Sequence, residues 1–187
     1  PQLSQLIGAV KEGQTTTEIL DQAPNYALRV KDIEILRRTL LTDKYASELR
    51  DLKVIYIFGA QSTIRTKKIY EENEPKEIYR ITTYRKGKGL LFDGYHTQSI
   101  LVFENFASQI PMEEMMDYLG EYPLLLPARY NDRIACYTTV YISSNLPVTE
   151  QYLPVQSRYP ELYPEFLGRI QKILYISENG ESAEVDL

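Results

Sequence analysis

The octapeptide GAQSTIRT, residues 59–66, has the spacing of a phosphate-binding loop. Such a loop needs a strand, a turn whose amides face phosphate oxygens, a lysine that reaches the terminal phosphates and a hydroxyl for magnesium. Gly59 holds the first glycine position and Thr66 the hydroxyl position, while Ser62 and Ile64 stand at loop positions and Arg65 stands where lysine belongs. Spacing alone would also arise by chance, but the octapeptide lies between VIYIF (54–58) and KKIYEE (67–72), the strand and helix that such a loop joins. Nucleotide hydrolysis further needs an acid at a strand end, for metal and water, and a polar sensor on a neighbouring strand. ILVFENF (100–106) offers Glu104 followed by Asn105, and VYISSN (140–145) offers Asn145. Each has an ordinary reading as well: Glu104 as a solvated strand end, Asn145 as a turn former before Leu146 and Pro147. Taken in this order the segments describe an ATPase layout, with Thr66 and Glu104 as the metal-side pair for ATP and Mg2+.

The chain around these residues divides into two parts. The first fifty residues read as helices: Leu3, Leu6, Ile7 and Val10 share a face before Gly13, and Thr17 can cap a short turn carrying Ile19 and Leu20. After Pro24 the apolar positions Val30, Ile33, Leu36, Leu40 and Leu41 recur at helical spacing, among Arg29, Lys31, Arg37 and Arg38. From Lys53 the pattern becomes strands alternating with helices: VIYIF, a helix over 67–72, IYRITT (78–83), the flexible basic loop RKGKG (85–89), ILVFENF and the helix PMEEMMDYL closed by Gly120. PLLLPARY and RIACYTTVYISS form two arms around an Asn131–Asp132 turn, the first an edge strand because of Pro123 and Pro127. A last helix is expected over 164–173, and SENGESAEVDL (177–187) is expected to be disordered. This is an α/β pattern, in which ligands gather at the carboxyl ends of the strands, near Gly59, Glu104 and Asn145.

Composition excludes several chemistries. The chain has 187 residues, 43% apolar and 25% charged, which fits one folded unit of ordinary size and not a low-complexity chain. One cysteine, Cys136, gives no internal disulfide, and one histidine, His96, cannot build a paired-histidine metal site, so zinc hydrolases, thioredoxins and His-x-His nickase domains are excluded. A Gly-x-Ser-x-Gly elbow is absent. A net charge of −5 confines nucleic-acid binding to a local cluster of cations. No signal-peptide pattern and no apolar run of membrane-spanning length occurs, so no membrane partner is expected.

Residues 4–176 resemble the superfamily 3 helicase region of rolling-circle replication initiator (Rep) proteins, found in circular single-stranded DNA viruses and in plasmids of Firmicutes. The resembling segments are 26–41, VIYIFGAQSTIRT, FDGYH (92–96), ILVFENFASQIP, 117–147 and FLGRI (166–170). The resemblance implies a P-loop NTPase-like, AAA+-type core sheet flanked by helices (51–176), preceded by a helical oligomerisation collar (1–50). It implies ATP and magnesium binding, Asn145 as sensor, Arg169 as a finger toward a neighbouring subunit's phosphate, a homo-oligomeric, usually hexameric ring, and single-stranded DNA held by a hairpin. That hairpin corresponds to Arg129, Tyr130, Asn131, Asp132 and Arg133, where two cations meet phosphates and Tyr130 stacks on a base. It also implies a cytoplasmic location in bacteria, or a nuclear one for a virus of a eukaryotic host.

The departures fall at the chemistry. Ser62 and Ile64 replace loop glycines, Arg65 replaces lysine, Asn105 replaces the second acid, and Gly168 leaves Arg169 as a lone arginine. A β-branched residue resists the backbone angles a glycine position demands, and a planar guanidinium does not substitute for a compact ammonium. The expectation is a helicase-type fold with degenerate Walker motifs and weak or absent hydrolysis. The alternatives are an active 3′–5′ DNA helicase and a ring scaffold without catalysis. The family's nicking domain has no counterpart before Ser4, so the chain is expected to be either a fragment or a stand-alone descendant.

Overall fold

The computed structural model describes residues 2–186; Pro1 and Leu187, the outermost positions of the expected collar and tail, lie outside the described residues. Three helices come first: α1 (Gln2–Lys11), α2 (Thr16–Gln22) and α3 (Val30–Ser47), with a 3-10 turn over Pro24–Arg29. Thr15, not Thr17, caps α2; its side chain accepts from the Glu18 amide, and the Glu18 carboxylate accepts from the Thr15 amide. Leu6, Val10, Ile19, Tyr26 and Ile33 form a small core of their own. Of the expected α3 stripe only Ile33 is buried, whereas Val30 is exposed and Leu36, Leu40 and Leu41 are half-buried. Leu28, at 97% exposed, points away from that core entirely.

The second part alternates: β1 (Lys53–Gly59), α4 (Ser62–Glu72), β2 (Ile78–Ile81), β3 (Ile100–Phe103), α5 (Met112–Tyr118), β4 (Leu125–Leu126), β5 (Arg133–Ile134), β6 (Thr139–Ser143), α6 (Leu153–Arg158), α7 (Leu162–Gly168), β7 (Lys172–Ile176) and β8 (Ser182–Glu184). The expected α/β class is observed, as a six-stranded sheet in the order β2-β3-β6-β1-β7-β8 that is compatible with a P-loop NTPase-like core. All pairs are parallel except β7 with β8. Strand alternation divides β1 between two cores. Val54 and Tyr56 face α5, α6 and α7, while Ile55 and Ile57 face Ile69 of α4. β6 lies between β1 and β3, so the carboxyl ends of the octapeptide strand and the acidic strand flank the end of β6.

Four expectations need correction. Residues 172–176 form a central-sheet strand against β1, not the end of a helix, which stops at Gly168. The 177–187 segment is not structureless, because Ser182–Glu184 pair antiparallel with β7. Asn131–Asp132 are not a two-residue turn: Leu126 pairs with Arg133, so the whole of 127–132 is the connecting loop, and β4 and β5 form a separate two-stranded sheet. The boundary at residue 50 falls on a packed side chain in the connection between α3 and β1. Arg50 is buried, donates to Gly120 O at 2.7 Å and Tyr137 O at 3.1 Å, and lies over the Tyr137 ring at 4.4 Å. Arg50 therefore belongs to the sheet part. Among the described residues no helix is long and apolar enough to cross a membrane.

Candidate nucleotide and nucleic-acid sites

β1 ends at Gly59 in a left-handed conformation, φ 110°, and a side chain there would meet Ile176 O at 2.3 Å and the Tyr175 ring at 2.8 Å. The close approach of β7 thus demands glycine at this position, whatever binds beyond it. Only Ala60 and Gln61 separate the strand from α4. The Ile64 and Arg65 amides donate to Gln61 O at 2.9 and 3.2 Å, inside the first turn of the helix. A phosphate cradle needs loop amides free to point at the anion. Here the later ones are spent on helix, which isoleucine favours over the glycine of a phosphate loop. The residues do not fit a nucleotide's phosphates in the manner of a P-loop, and no chemical step through ATP follows from their geometry.

Arg65 occupies the space between the strand ends. It is 1% exposed and donates from Nε to Ser143 Oγ at 2.9 Å, from Nη1 to Gly59 O at 3.3 Å and to Ala60 O, and from Nη2 to Asn105 Oδ1 at 3.1 Å. One fork therefore ties the octapeptide to the ends of β6 and β3. Burial lowers its pKa from the ordinary arginine value, and the nearby Glu104 charge opposes that. Lysine, with one compact ammonium, could not reach all four acceptors.

Glu104 is equally committed. Oε1 accepts from the Thr66 hydroxyl, and Oε2 lies 2.8 Å from the Arg80 guanidinium as an ion pair but is buried without a hydrogen-bond partner. Its carbonyl accepts from the Tyr84 hydroxyl at 2.8 Å and its amide donates to Ile81 O at 3.0 Å. Asn105 follows in a left-handed conformation, φ 51°, with its side-chain oxygen used by Arg65. Thr66 and Glu104 are the pair that could hold a cation, but hydroxyl and carboxylate are bonded to each other, and among the described residues no group of three or more His, Cys, Asp or Glu residues could hold a metal. A cleft of about 440 Å3 opens beside them, lined by Ser62, Thr63, Thr66, Tyr70, Arg80 and Glu104 among others.

Gly59, Arg65, Thr66, Glu104 and Asn105 therefore come together, with Ser62 and Ile64 at the first turn of α4. Ile64 packs on the second core instead of facing the cleft. Asn145 does not join them: it is exposed, and the residue β6 sends inward is Ser143. Ser144 is also buried, donating to Phe106 O at 2.6 Å and accepting from Gln151 at 2.9 Å. Arg169 caps α7. It lies three residues before β7, near Gln171, whose amide donates to Val54 O, and so toward the amino ends of the strands, away from Glu104. Sequence reasoning missed Ser143 and Arg80. The signal for Arg80 was available, an arginine inside the apolar run IYRI.

The hairpin loop is of another character. Tyr130 is 93% exposed, and Asn131 and Asp132 are exposed too. Arg129 is tethered at its base, Nε to Asp93 Oδ2 at 3.2 Å and amide to Asp93 Oδ1 at 2.7 Å. Arg133 is half-buried with its Nε lacking a hydrogen-bond partner. His96 lies near Arg133 and Arg38; burial lowers its pKa, and both arginine charges lower it further.

No family model matches the chain. A replication-associated protein of Canary circovirus is 22% identical over 178 residues, an alignment covering 92% of this chain and 55% of that protein. The chain spans about half the length of this relative.

Proposed function

We propose that this chain is the DNA-binding, helicase-type domain of a replication initiator, assembled as a ring through the N-terminal helices that end at Ser47, in which ATP hydrolysis is weak or absent. Support for a replication role comes from the likeness to a viral replication-associated protein. The reading of impaired hydrolysis rests above all on one observation, the buried Arg65 fork joining Gly59, Ala60, Asn105 and Ser143 where a P-loop would leave room for phosphate. Asn105 adds to it, since an amide cannot accept the proton of an attacking water. In this reading single-stranded DNA is held by Arg129, Tyr130, Asn131 and Arg133, and any residual Mg-ATP site uses Thr66 and Glu104.

Purified protein is expected to turn over ATP near background with and without single-stranded DNA. A robust rate abolished by Glu104→Gln would overturn the impaired-enzyme reading in favour of an active helicase. Light scattering tests the ring: the full chain should be oligomeric, and a chain starting at Glu48, which keeps the buried Arg50, should be a monomer. Equal monomeric masses, with ATP and DNA present, would remove the collar from the proposal.

A further inference from the structure

β2 is an edge strand, paired only with β3, so its outer side faces solvent. Beside that edge runs a groove of about 290 Å3, lined by Arg80, Thr82, Thr83, Arg85, Asp93 and Arg129 among others. A second depression of about 240 Å3 continues it past Arg85 and Gly87 to Glu114. The exposed Arg85, Lys86 and Lys88 stand on the loop between them. Two acids also line it: Asp93 is paired within the groove with Arg129, and Glu114, at the far end, accepts from the Tyr118 hydroxyl at 2.7 Å, so a phosphate must displace Asp93 from Arg129 as it displaces Glu104 from Arg80. On a chain of net charge −5 this concentration of cations is a local exception.

Arg80 has an unusual position, because it lines both this groove and the cleft beside Thr66 and Glu104. Its side chain is 37% exposed while its partner Glu104 is 9% exposed, so the guanidinium is the member of the pair that solvent and ligands can reach. We propose that the groove along β2 is a track for the phosphodiester backbone of a single strand, with Arg80, Arg85 and Arg129 as phosphate contacts, and that Arg80 engages it by exchanging Glu104 for phosphate. The inference rests on the DNA-binding reading above and adds a second contact surface to the hairpin. Single-stranded nucleic acid fits better than an added peptide strand: β2 offers only Ile78–Ile81 as regular edge. The cations extend past it along a glycine-containing loop, which suits point contacts to phosphates more than a ladder of main-chain bonds.

The test is fluorescence anisotropy of the full chain with labelled oligo(dT) across a salt series. Arg80→Gln and Arg85→Gln should each weaken binding by about threefold to tenfold. Each should lower the slope of log affinity against log salt by about 0.7. Arg80→Lys, which keeps the charge, should restore most of the Arg80→Gln loss. Glu104→Gln should tighten binding by a similar factor, because it frees Arg80, and that gain should vanish in the Arg80→Gln, Glu104→Gln double variant. A gain that persists in the double variant would show a mere loss of negative charge and overturn the exchange. If Arg80→Gln fails to fold, the exposed Arg85→Gln still decides whether the groove is used. Parent-like binding by the groove variants would overturn the track and leave hairpin binding standing. No binding of oligo(dT) by the parent, with or without capture of an acidic peptide, would overturn the track and the DNA reading together.

Discussion

The cluster around Arg65 and the loop around Tyr130 use the same residue types for opposite ends. At the first, arginine, asparagine, serine and glutamate bond to one another and to backbone around the buried Arg65 side chain, in a network that ties three strand ends together. At the second, arginine, tyrosine and asparagine stand in solvent with one anchoring ion pair. A motif's residue types therefore do not report its function until their partners are known. The cluster holds the motif and lacks its vacancy; the loop has no motif and presents Tyr130 and Asn131 to solvent beside the Arg129–Asp93 pair.

The two regions should differ most in stability. Arg65→Met should destabilise the protein by about 2 to 4 kcal/mol, because it leaves the buried Ala60 carbonyl and Ser143 hydroxyl, and the partly buried Gly59 carbonyl, without their donor. Arg129→Ala removes only an exposed ion pair and should change stability by no more than about 1 kcal/mol. Urea unfolding midpoints measure both. Equal, small effects would show that the fork is dispensable and the octapeptide free to reopen. The same measurement bears on repair: Ser62→Gly, Ile64→Gly, Arg65→Lys and Asn105→Glu together remove the fork, so any gain in ATP affinity should come with a lower midpoint.

Alkaline pH attacks the closed part of the molecule by another route. Burial pushes the Tyr56 and Tyr137 hydroxyls up to about 12 and the Cys136 thiol up to about 11, with Arg50 opposing the shift at the last two. The folded state therefore keeps protons that the unfolded chain loses from about pH 9 for a thiol and pH 10 for a phenol. Their contribution to stability is fully present below those values and is lost as pH rises through 11 and 12. Each group accounts for on the order of 2 kcal/mol. Unfolding followed against pH, with tyrosinate absorbance, should show cooperative loss of structure in this window. Smooth titration of Tyr56 and Tyr137 without unfolding would show that the interior admits water.

Much of the fold was legible because the strands that build the sheet are β-branched runs that no surface helix would carry: VIYIF, ILVF and TVYIS. β7 was not legible, since KILYI follows FLGRIQ at spacings that a helix also satisfies, and its pairing with β1 is a long-range fact. β8 is acidic and exposed, with only its ladder to β7 to define it. At the site, Gly59, Thr66 and Glu104, read from chain order, are neighbours in space. What sequence could not convey was conformation. The octapeptide is helical from Ser62, where Ile64 replaces a helix-disfavouring glycine, and Arg65 turns inward onto four acceptors. Asn145 has the polarity expected of a sensor, whereas strand alternation and burial bring Ser143 to the site.

The smallest effect belongs to the open loop. Tyr130 has a fully presented ring and no buried role, so Tyr130→Ala should leave the unfolding midpoint unchanged. If the ring stacks on a base, the substitution should cost about 1 to 3 kcal/mol in single-strand affinity. Stacking releases no counterions, so the salt slope should stay that of the parent. Arg129→Ala with Arg133→Ala should do the reverse, lowering the slope by about 0.7 for each phosphate deprived of its cation. Anisotropy on one labelled oligonucleotide across salt separates these signatures. Arg129 brings a further distinction, because Asp93 already neutralises it at 3.2 Å, and Asp93→Asn should therefore strengthen binding if the guanidinium reaches DNA. Affinity unmoved by any of the four substitutions would make this loop ordinary surface.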